Sequence, residues 1–160
     1  MAGEIRDGKE DRAQGLSAAR LLRVLAVALG VLWALPMSLA GLLAGLAGLG
    51  FGARMRYSDH ALVFQRFPFG PGGALTLGNV ILHTGQSLDE PTRTYACELD
   101  GGDDCVRIGD HERAHVYQYW VLGPLFLPLY FLNGGISAHN RFEQAADRYA
   151  RTGRGWWPWA

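Results

Sequence analysis

The strongest constraint in this sequence is a stretch of thirty residues, 24–53, without a single charged side chain. About 20 apolar residues are enough to cross a bilayer as a helix, whereas the apolar core of a signal peptide is only about 7–15 residues long. We therefore predict a transmembrane segment over 24–53 that follows a polar segment over 1–23. Two arrangements fit: one tilted span, or a hairpin that folds back near Pro36.

The charges on either side of this segment bear on its orientation. Residues 1–23 carry five basic side chains, and only Arg54 and Arg56 follow the segment directly. Because Lys and Arg concentrate on the cytoplasmic side of a membrane, the pattern favours a cytoplasmic N-terminus. A single span then places the rest of the chain on the non-cytoplasmic side, and a hairpin keeps it inside. Gly41, Gly45 and Gly48 either form a face for close helix packing or simply reflect a glycine-rich composition.

Composition excludes several classes of protein. The 160 residues suit one domain, and 15 basic residues balance 15 acidic ones, so no net charge attracts nucleic acid. The two cysteines rule out a disulfide-dense scaffold and a four-cysteine zinc site. Cys97 and Cys105 lie in a polar, acidic stretch, 86–106, where they form one disulfide outside the cytoplasm or remain two unrelated thiols.

Beyond residue 54 the pattern changes to β-strand. Residues 61–67 are rich in strand formers, 69–73 form a turn cluster, and 74–85 are predicted as a second strand. Gly78 marks a bulge or a close backbone approach within that strand. We expect an α+β fold with a short antiparallel sheet.

The clearest chemical signal is the segment HERAH. His111 and His115 are four positions apart, so on a helix both imidazoles reach one Zn²⁺ from the same face. Glu112 then stands beside the metal as a general base for a bound water. A continuation of this motif with Gly at 118 and His at 121 is excluded, because Gln118 and Val121 occupy those positions.

The segment NRFEQAADRYA supplies a third ligand. Glu143 would bind the metal, and Asp147, one turn later, would orient a ligand histidine through its second ring nitrogen. The alternative is a capping box, in which Glu143 returns to the backbone amide of Asn140. We favour ligation because HExxH and ExxAD occur together and in order.

The residues between the two motifs provide a topological test. Residues 116–138 are uncharged and long enough for a second span, yet a straight helix would separate His115 from Glu143 by about 30 Å. The zinc hypothesis therefore requires a break, for which Gly123 and Pro128 are suited. The tail 150–160 combines arginine with three Trp residues and predicts either a membrane-interface anchor or an aromatic cluster folded onto the core.

The stretches LWALPMSLAGLLAGL, ALTLGNVIL, HERAHVYQYWVLGPLFLPLY and NRFEQAADRYA together resemble a group of small uncharacterised bacterial membrane proteins. In that group a hydrophobic segment precedes a compact gluzincin-like module, so the resemblance implies a zincin-like domain over 54–160 with a ligand-bearing helix after the HExxH helix. It also implies the bacterial inner membrane as the location. More distantly, the motifs are similar to gluzincin peptidases, whose edge strand binds an extended peptide; here that strand would fall in 74–83.

The resulting hypothesis is a membrane-anchored zinc metallopeptidase with one Zn²⁺ per chain. His111, His115 and Glu143 would be its ligands, Glu112 its base and Asp147 a supporting residue. Tyr117, Tyr130 and Tyr149 are candidates for stabilising the oxyanion. The alternative is a non-catalytic integral membrane protein with a structural metal site or none.

Overall fold

The computed structural model describes residues 2–70, 72–94 and 105–160, with side chains from residue 18 onward. The helices are α1 (Ala2–Trp33), α2 (Leu35–Leu49), α3 (Ile108–Leu122), α4 (Phe126–Leu132) and α5 (Arg141–Thr152). The strands are β1 (Arg54–Ser58), β2 (Ala61–Gln65), β3 (Ala74–Leu77), β4 (Val80–His83), β5 (Pro91–Thr92) and β6 (Val106–Arg107). The expected mixture of helix and sheet is confirmed.

The hydrophobic segment forms two helices with a sharp bend between them. α1 ends at Trp33 and α2 begins at Leu35, with Pro36 in its first turn, where a missing backbone N–H costs nothing. Within the described residues, no single helix is both long and apolar enough to cross a membrane. Only one pair of helical segments meets that standard when taken together, 18–33 with 35–49, and the two are bent by 61° at the break between them.

The three glycines of α2 pack on the sheet. Gly41, Gly45 and Gly48 are buried, and a Cβ at Gly45 would lie 2.3 Å from the ring of Phe64 on β2. The predicted face for close packing therefore exists, but its partner is a sheet rather than another helix. As a result, the hydrophobic helices share a core with the residues that follow Ala53.

The main sheet has the strand order β1-β2-β4-β3, and its central pair, β2 and β4, is parallel. The prediction of a wholly antiparallel sheet was wrong in this pair. The prediction of one strand over 74–85 was also wrong, because β3 and β4 form a hairpin around Gly78 and Asn79. Gly78 has a φ of +62°, which turns the chain, and a Cβ there would lie 2.3 Å from Ser38 Oγ, so the predicted close approach is confirmed.

Helix α3 is anchored on one face of this sheet. Val63 and Ile81 pack with Val116 and Ile108 in one fully or nearly fully buried cluster. The turn between β1 and β2 adds a polar anchor, because the carboxylate of Asp59, whose side chain is 4% exposed, accepts hydrogen bonds from Arg107 and Arg113, each at 2.8 Å. The HExxH segment is thereby fixed to both the sheet and its first hairpin.

Residues 116–138 do not form one helix. α3 ends at Leu122, Gly123 takes a φ of +52°, a 3₁₀ turn covers Gly123–Leu125, and α4 is only seven residues long. The indole of Trp33 fills the space at Gly123, where a Cβ would lie 2.5 Å from Trp33 Nε1. This break is the return that the zinc hypothesis requires.

The tail folds back onto α5 and α3. Trp159 packs edge-on against Phe142 with ring centroids 5.5 Å apart, and Arg148 donates hydrogen bonds to the carbonyls of Gly155 and Trp157. Of the two arrangements expected for the tail, the structure has the aromatic cluster on the core.

Candidate metal centre

Three buried side chains converge at the point where α3 crosses α5. His111 and His115 lie on one face of α3, and Glu143 reaches them from the first turn of α5. The two Nε2 atoms are 3.2 Å apart, and the Glu143 oxygens lie 3.1 Å from His111 Nε2 and 3.5 Å from His115 Nε2. The structure thus brings together the three residues predicted as ligands.

These separations are compatible with one bound metal ion. Ligand atoms about 2.0–2.1 Å from a tetrahedral ion lie about 3.3 Å from one another. The two Nε2 atoms are 3.2 Å apart, and each lies 3.1–3.5 Å from one of the two Glu143 oxygens, so the three side chains are close enough to hold one metal ion.

The surrounding hydrogen bonds fix which ring nitrogens face the centre. Asp147 Oδ1 lies 2.7 Å from His111 Nδ1, so this nitrogen donates to the carboxylate. Gln118 Oε1 lies 2.8 Å from His115 Nδ1, while the amide nitrogen of Gln118 donates to the carbonyls of Phe142 and Trp156. That orientation makes His115 Nδ1 a donor as well. In the neutral rings both Nε2 lone pairs therefore point at Glu143, so the three electron-pair donors require either protons or a bound cation between them.

The pKa shifts of His111 and Glu143 also indicate that the site favours positive charge next to the carboxylate. Burial alone would lower the pKa of His111, but hydrogen bonds to Asp147 and Glu143 raise it to about 10. Burial alone would raise the pKa of Glu143, but the charge of His115 and hydrogen bonds from both imidazoles hold it well below its usual range. Protons satisfy the site in the metal-free form, and a divalent cation can take their place.

Glu143 does not close a capping box. The N-cap of α5 is Asn140, whose side-chain oxygen accepts from the amide of Phe142 at 2.9 Å. The backbone amide of Asn140 donates instead to the carbonyl of Ser137. The Glu143 carboxylate is thus available to the two histidines, and its Oε1 also accepts from the Tyr130 hydroxyl at 2.6 Å.

Glu112 lies beside the three ligands and is 5% exposed. Its Oε2 accepts a hydrogen bond of 2.6 Å from Thr76 Oγ1 on β3. Because β3 is an edge strand, this contact ties the carboxylate to the free edge of the sheet.

A cleft of about 620 Å³ opens above the site. Its lining includes residues 72–76 together with His111, Glu112, His115 and Glu143. The rest of the lining is mostly apolar and includes Phe67, Phe69, Tyr130, Phe131 and Ile136.

The other candidate residues lie in different places. Tyr130 is in the cleft, whereas Tyr117 and Tyr149 pack on each other with ring centroids 5.6 Å apart and do not line it. Cys105 is exposed, and Cys97 falls in 95–104, outside the described residues, so their pairing stays a prediction.

Three residues at the site escaped the sequence reasoning. Thr76 orients Glu112, Gln118 orients His115, and Thr94 Oγ1 donates to Asp147 Oδ2 at 2.5 Å. Only Gln118 carried a signal, since it lies one turn after His115 on the same helix. Thr76 and Thr94 come from distant segments, and no spacing in the sequence connects them to the motif.

Comparisons with protein-family models, with curated proteins and with solved structures found no match to this chain.

Proposed function

We propose that the protein is a zinc metallopeptidase of zincin-like architecture. The observation that carries the proposal is the convergence of two lone-pair nitrogens and one carboxylate at separations of 3.1–3.5 Å. A buried carboxylate, Glu112, lies at the same site and faces the same cleft. A purely structural metal site has no use for this second glutamate.

His111, His115 and Glu143 would hold the ion beside the cleft. A zinc ion bound there would supply Lewis-acid chemistry, making a water more acidic and polarising a carbonyl oxygen. The remaining steps belong to the residues of this chain.

Glu112 would move the proton. Thr76 engages Oε2, so Oε1 is the oxygen that accepts a proton from the attacking water. The water oxygen forms a bond to the carbonyl carbon, the C–N bond breaks, and Glu112 returns the proton to the leaving amine nitrogen. Of the three candidate tyrosines only Tyr130 lines the cleft, and its hydroxyl would have to leave Glu143 Oε1 in order to donate to the oxygen that becomes negative.

The free edge of β3 would bind the substrate as an added strand. Thr84 donates to the carbonyl of Gly73, which makes this pair a hydrogen-bonded one, and such pairs alternate along an antiparallel ladder. Leu75 and Leu77 therefore bond to β4, whereas the N–H and C=O groups of Ala74 and Thr76 point to the free edge. An extended peptide can pair with these groups and so pass over Glu112.

The cleft favours apolar side chains in that peptide. Phe69 and Leu75 are about half exposed, and Phe131 and Ile136 are 62% and 68% exposed at its rim. Removing this apolar surface from water is favourable, so contact with an apolar side chain of the substrate would stabilise the complex.

We also propose that α1 and α2 associate with the inner membrane, with the N-terminus in the cytoplasm and the cleft on the opposite side. Leu22 and Leu29 of α1 and Leu43 of α2 are each at least 66% exposed, as expected of side chains that contact lipid. A phosphatase fused after Ala160 should then be active in cells. An inactive fusion beside an active cytoplasmic reporter at the same position would contradict this orientation.

The test of the catalytic proposal is Glu112→Gln, which keeps the shape of the side chain but removes the base. We expect the variant to keep its zinc and melting temperature, and to lose cleavage of an unfolded, apolar-rich polypeptide by about 10²–10⁴-fold. Glu90→Gln, an exposed glutamate outside the cleft, serves as the matched control. Cleavage by Glu112→Gln at the wild-type rate would show that Glu112 is not the base.

A further inference from the structure

A second concave site lies at the β1 edge of the sheet, whereas the cleft lies at the β3 edge, and this second site is lined by three arginines. Arg54, Arg56 and Arg66 surround a hollow of about 230 Å³, together with the side chains of Gln65, Gln86 and Ser87. None of these residues lines the zinc cleft. The hollow is therefore distinct from the proposed metal centre.

The strand register explains why the arginines meet. Arg54 and Arg56 are two positions apart on β1, so their side chains leave the same face of the strand. Arg54 pairs with Gln65 at the end of β2, and Arg66 is the next residue along the chain. The edge of the sheet thus presents three guanidinium groups to one space.

Arg66 adopts a backbone conformation that non-glycine residues rarely take. Its φ is +53°, and its amide is held by a hydrogen bond of 2.8 Å to the carbonyl of Gly85. Its guanidinium donates to Gln86 Oε1 at 3.0 Å, which directs the side chain into the hollow. Strain of this kind is concentrated at functional sites.

Nothing in the described part of the chain neutralises this cluster. No carboxylate there lies within 4.0 Å of the guanidinium nitrogens of the three arginines. Asp59, three positions after Arg56, pairs instead with Arg107 and Arg113, and Asp89 also pairs with Arg107. Glu90 lies closer to the hollow, but its carboxylate accepts from the amides of Gln86 and Ser87 and forms no ion pair with the three arginines. Three adjacent like charges without a counter-ion favour an added anion.

We propose that Arg54, Arg56 and Arg66 form a binding site for a phosphate group. Guanidinium groups bind phosphate oxygens through pairs of parallel hydrogen bonds, and the three oxygens of a phosphate monoester can occupy three such groups, more than a carboxylate can. The apolar helices α1 and α2 lead directly into β1, so the group can come from a lipid headgroup as well as from a soluble phosphate.

The test uses the full chain in an uncharged detergent and follows its melting temperature as ligand is added at constant ionic strength. The variant Arg56→Gln/Arg66→Gln is compared with Arg141→Gln/Arg154→Gln, which removes two exposed arginines outside the hollow. With inorganic phosphate we expect saturable stabilisation of the wild type and the control, and at least about tenfold weaker binding by the first variant.

Two further ligands with the same headgroup distinguish the sources. Tighter binding of short-chain phosphatidic acid than of glycerol 3-phosphate would assign the site to a lipid, and equal binding would assign it to a soluble phosphate. The proposal fails if phosphate does not stabilise the wild type, or if it stabilises Arg56→Gln/Arg66→Gln equally. Neither outcome depends on zinc or on peptidase activity.

Discussion

Each histidine at the proposed metal centre is oriented by a second residue. Asp147 holds His111 through Nδ1 and is itself held by Thr94, while Gln118 holds His115. Because these contacts set the direction of the Nε2 lone pairs, they determine how well the site is prepared for an ion before it binds.

Asp147→Asn should therefore weaken zinc binding without abolishing it. The amide keeps the size of the side chain but loses the negative charge that stabilises the imidazole as a ligand, and such changes typically cost about 10–100-fold in metal affinity. Competition with a zinc chelator measures the loss. Asp89→Asn, an exposed carboxylate 79% accessible to solvent, should bind zinc as the wild type does; equal affinities for all three proteins would contradict the assigned role.

At the scale of single residues, the sequence was enough to predict four residues of the site. They lie in two helical motifs, and a fixed spacing within a helix places two side chains on the same face. His111 and His115 are one turn apart, as are Glu143 and Asp147. Thr76 and Thr94 were beyond such reasoning, since they reach the site only through the path of the whole chain. The capping-box alternative for Glu143 required the side-chain geometry to resolve it.

Among the elements, α2 depends on its glycines for its contact with the sheet. A Cβ at Gly45 would lie 2.3 Å from the Phe64 ring, which is completely buried. Gly45→Ala should destabilise the protein by about 1–3 kcal/mol through overpacking. Gly50→Ala, where the nearest atom is a carbonyl oxygen at 3.4 Å, should leave the melting temperature in detergent unchanged or raised. Equal melting temperatures for both variants would contradict this packing.

The ion pairs of Asp59 that anchor the first hairpin to α3 should make the stability of the protein depend on pH. Burial would raise the pKa of Asp59, but hydrogen bonds from Arg107, Ser58 and Arg113 lower it to about 2. Since the pKa of an unfolded aspartate is about 3.9, the stabilisation is complete above about pH 4 and is lost as the pH falls through about 2.

Asp59→Asn should remove this contribution at every pH. We expect it to cost about 1–3 kcal/mol at pH 7, because two arginines lose a charged partner, and the deficit relative to the wild type should shrink towards pH 2. Denaturant unfolding at several pH values measures both quantities. Asp89→Asn, which removes an exposed partner of the same Arg107, should show neither effect. A deficit that does not vary with pH would exclude Asp59 as the titrating group.

Helices and strands could be predicted where a single sequence pattern determined the local structure. The break in 116–138 followed from Gly123 and from the distance that zinc allows. The hairpin of β3 and β4 was missed, although Gly78 and Asn79 between two apolar runs are typical of a tight turn. The parallel pairing of β2 and β4 had no local signal, because it arises from the order in which the chain fills the sheet.

On the scale of the whole molecule, the hydrophobic helices and the metal centre belong to one packed unit. Trp33 of α1 fills the space at Gly123, where α3 ends, and Trp120 of α3 packs against Gly30. α2 covers the other face of the sheet that supports α3. Composition alone suggested a boundary near residue 54, because the change from apolar to mixed sequence is visible while the contacts across it are not.

The central claim is that His111, His115 and Glu143 bind one zinc ion, and metal analysis of the full chain tests it most directly. After equilibration with zinc and removal of free metal, the wild type should retain about one zinc per chain. Glu143→Gln and His115→Gln, which nearly preserve side-chain volume, should lose it, while Glu112→Gln should keep it. Stoichiometric zinc in Glu143→Gln and His115→Gln, or none in the wild type, would contradict the account.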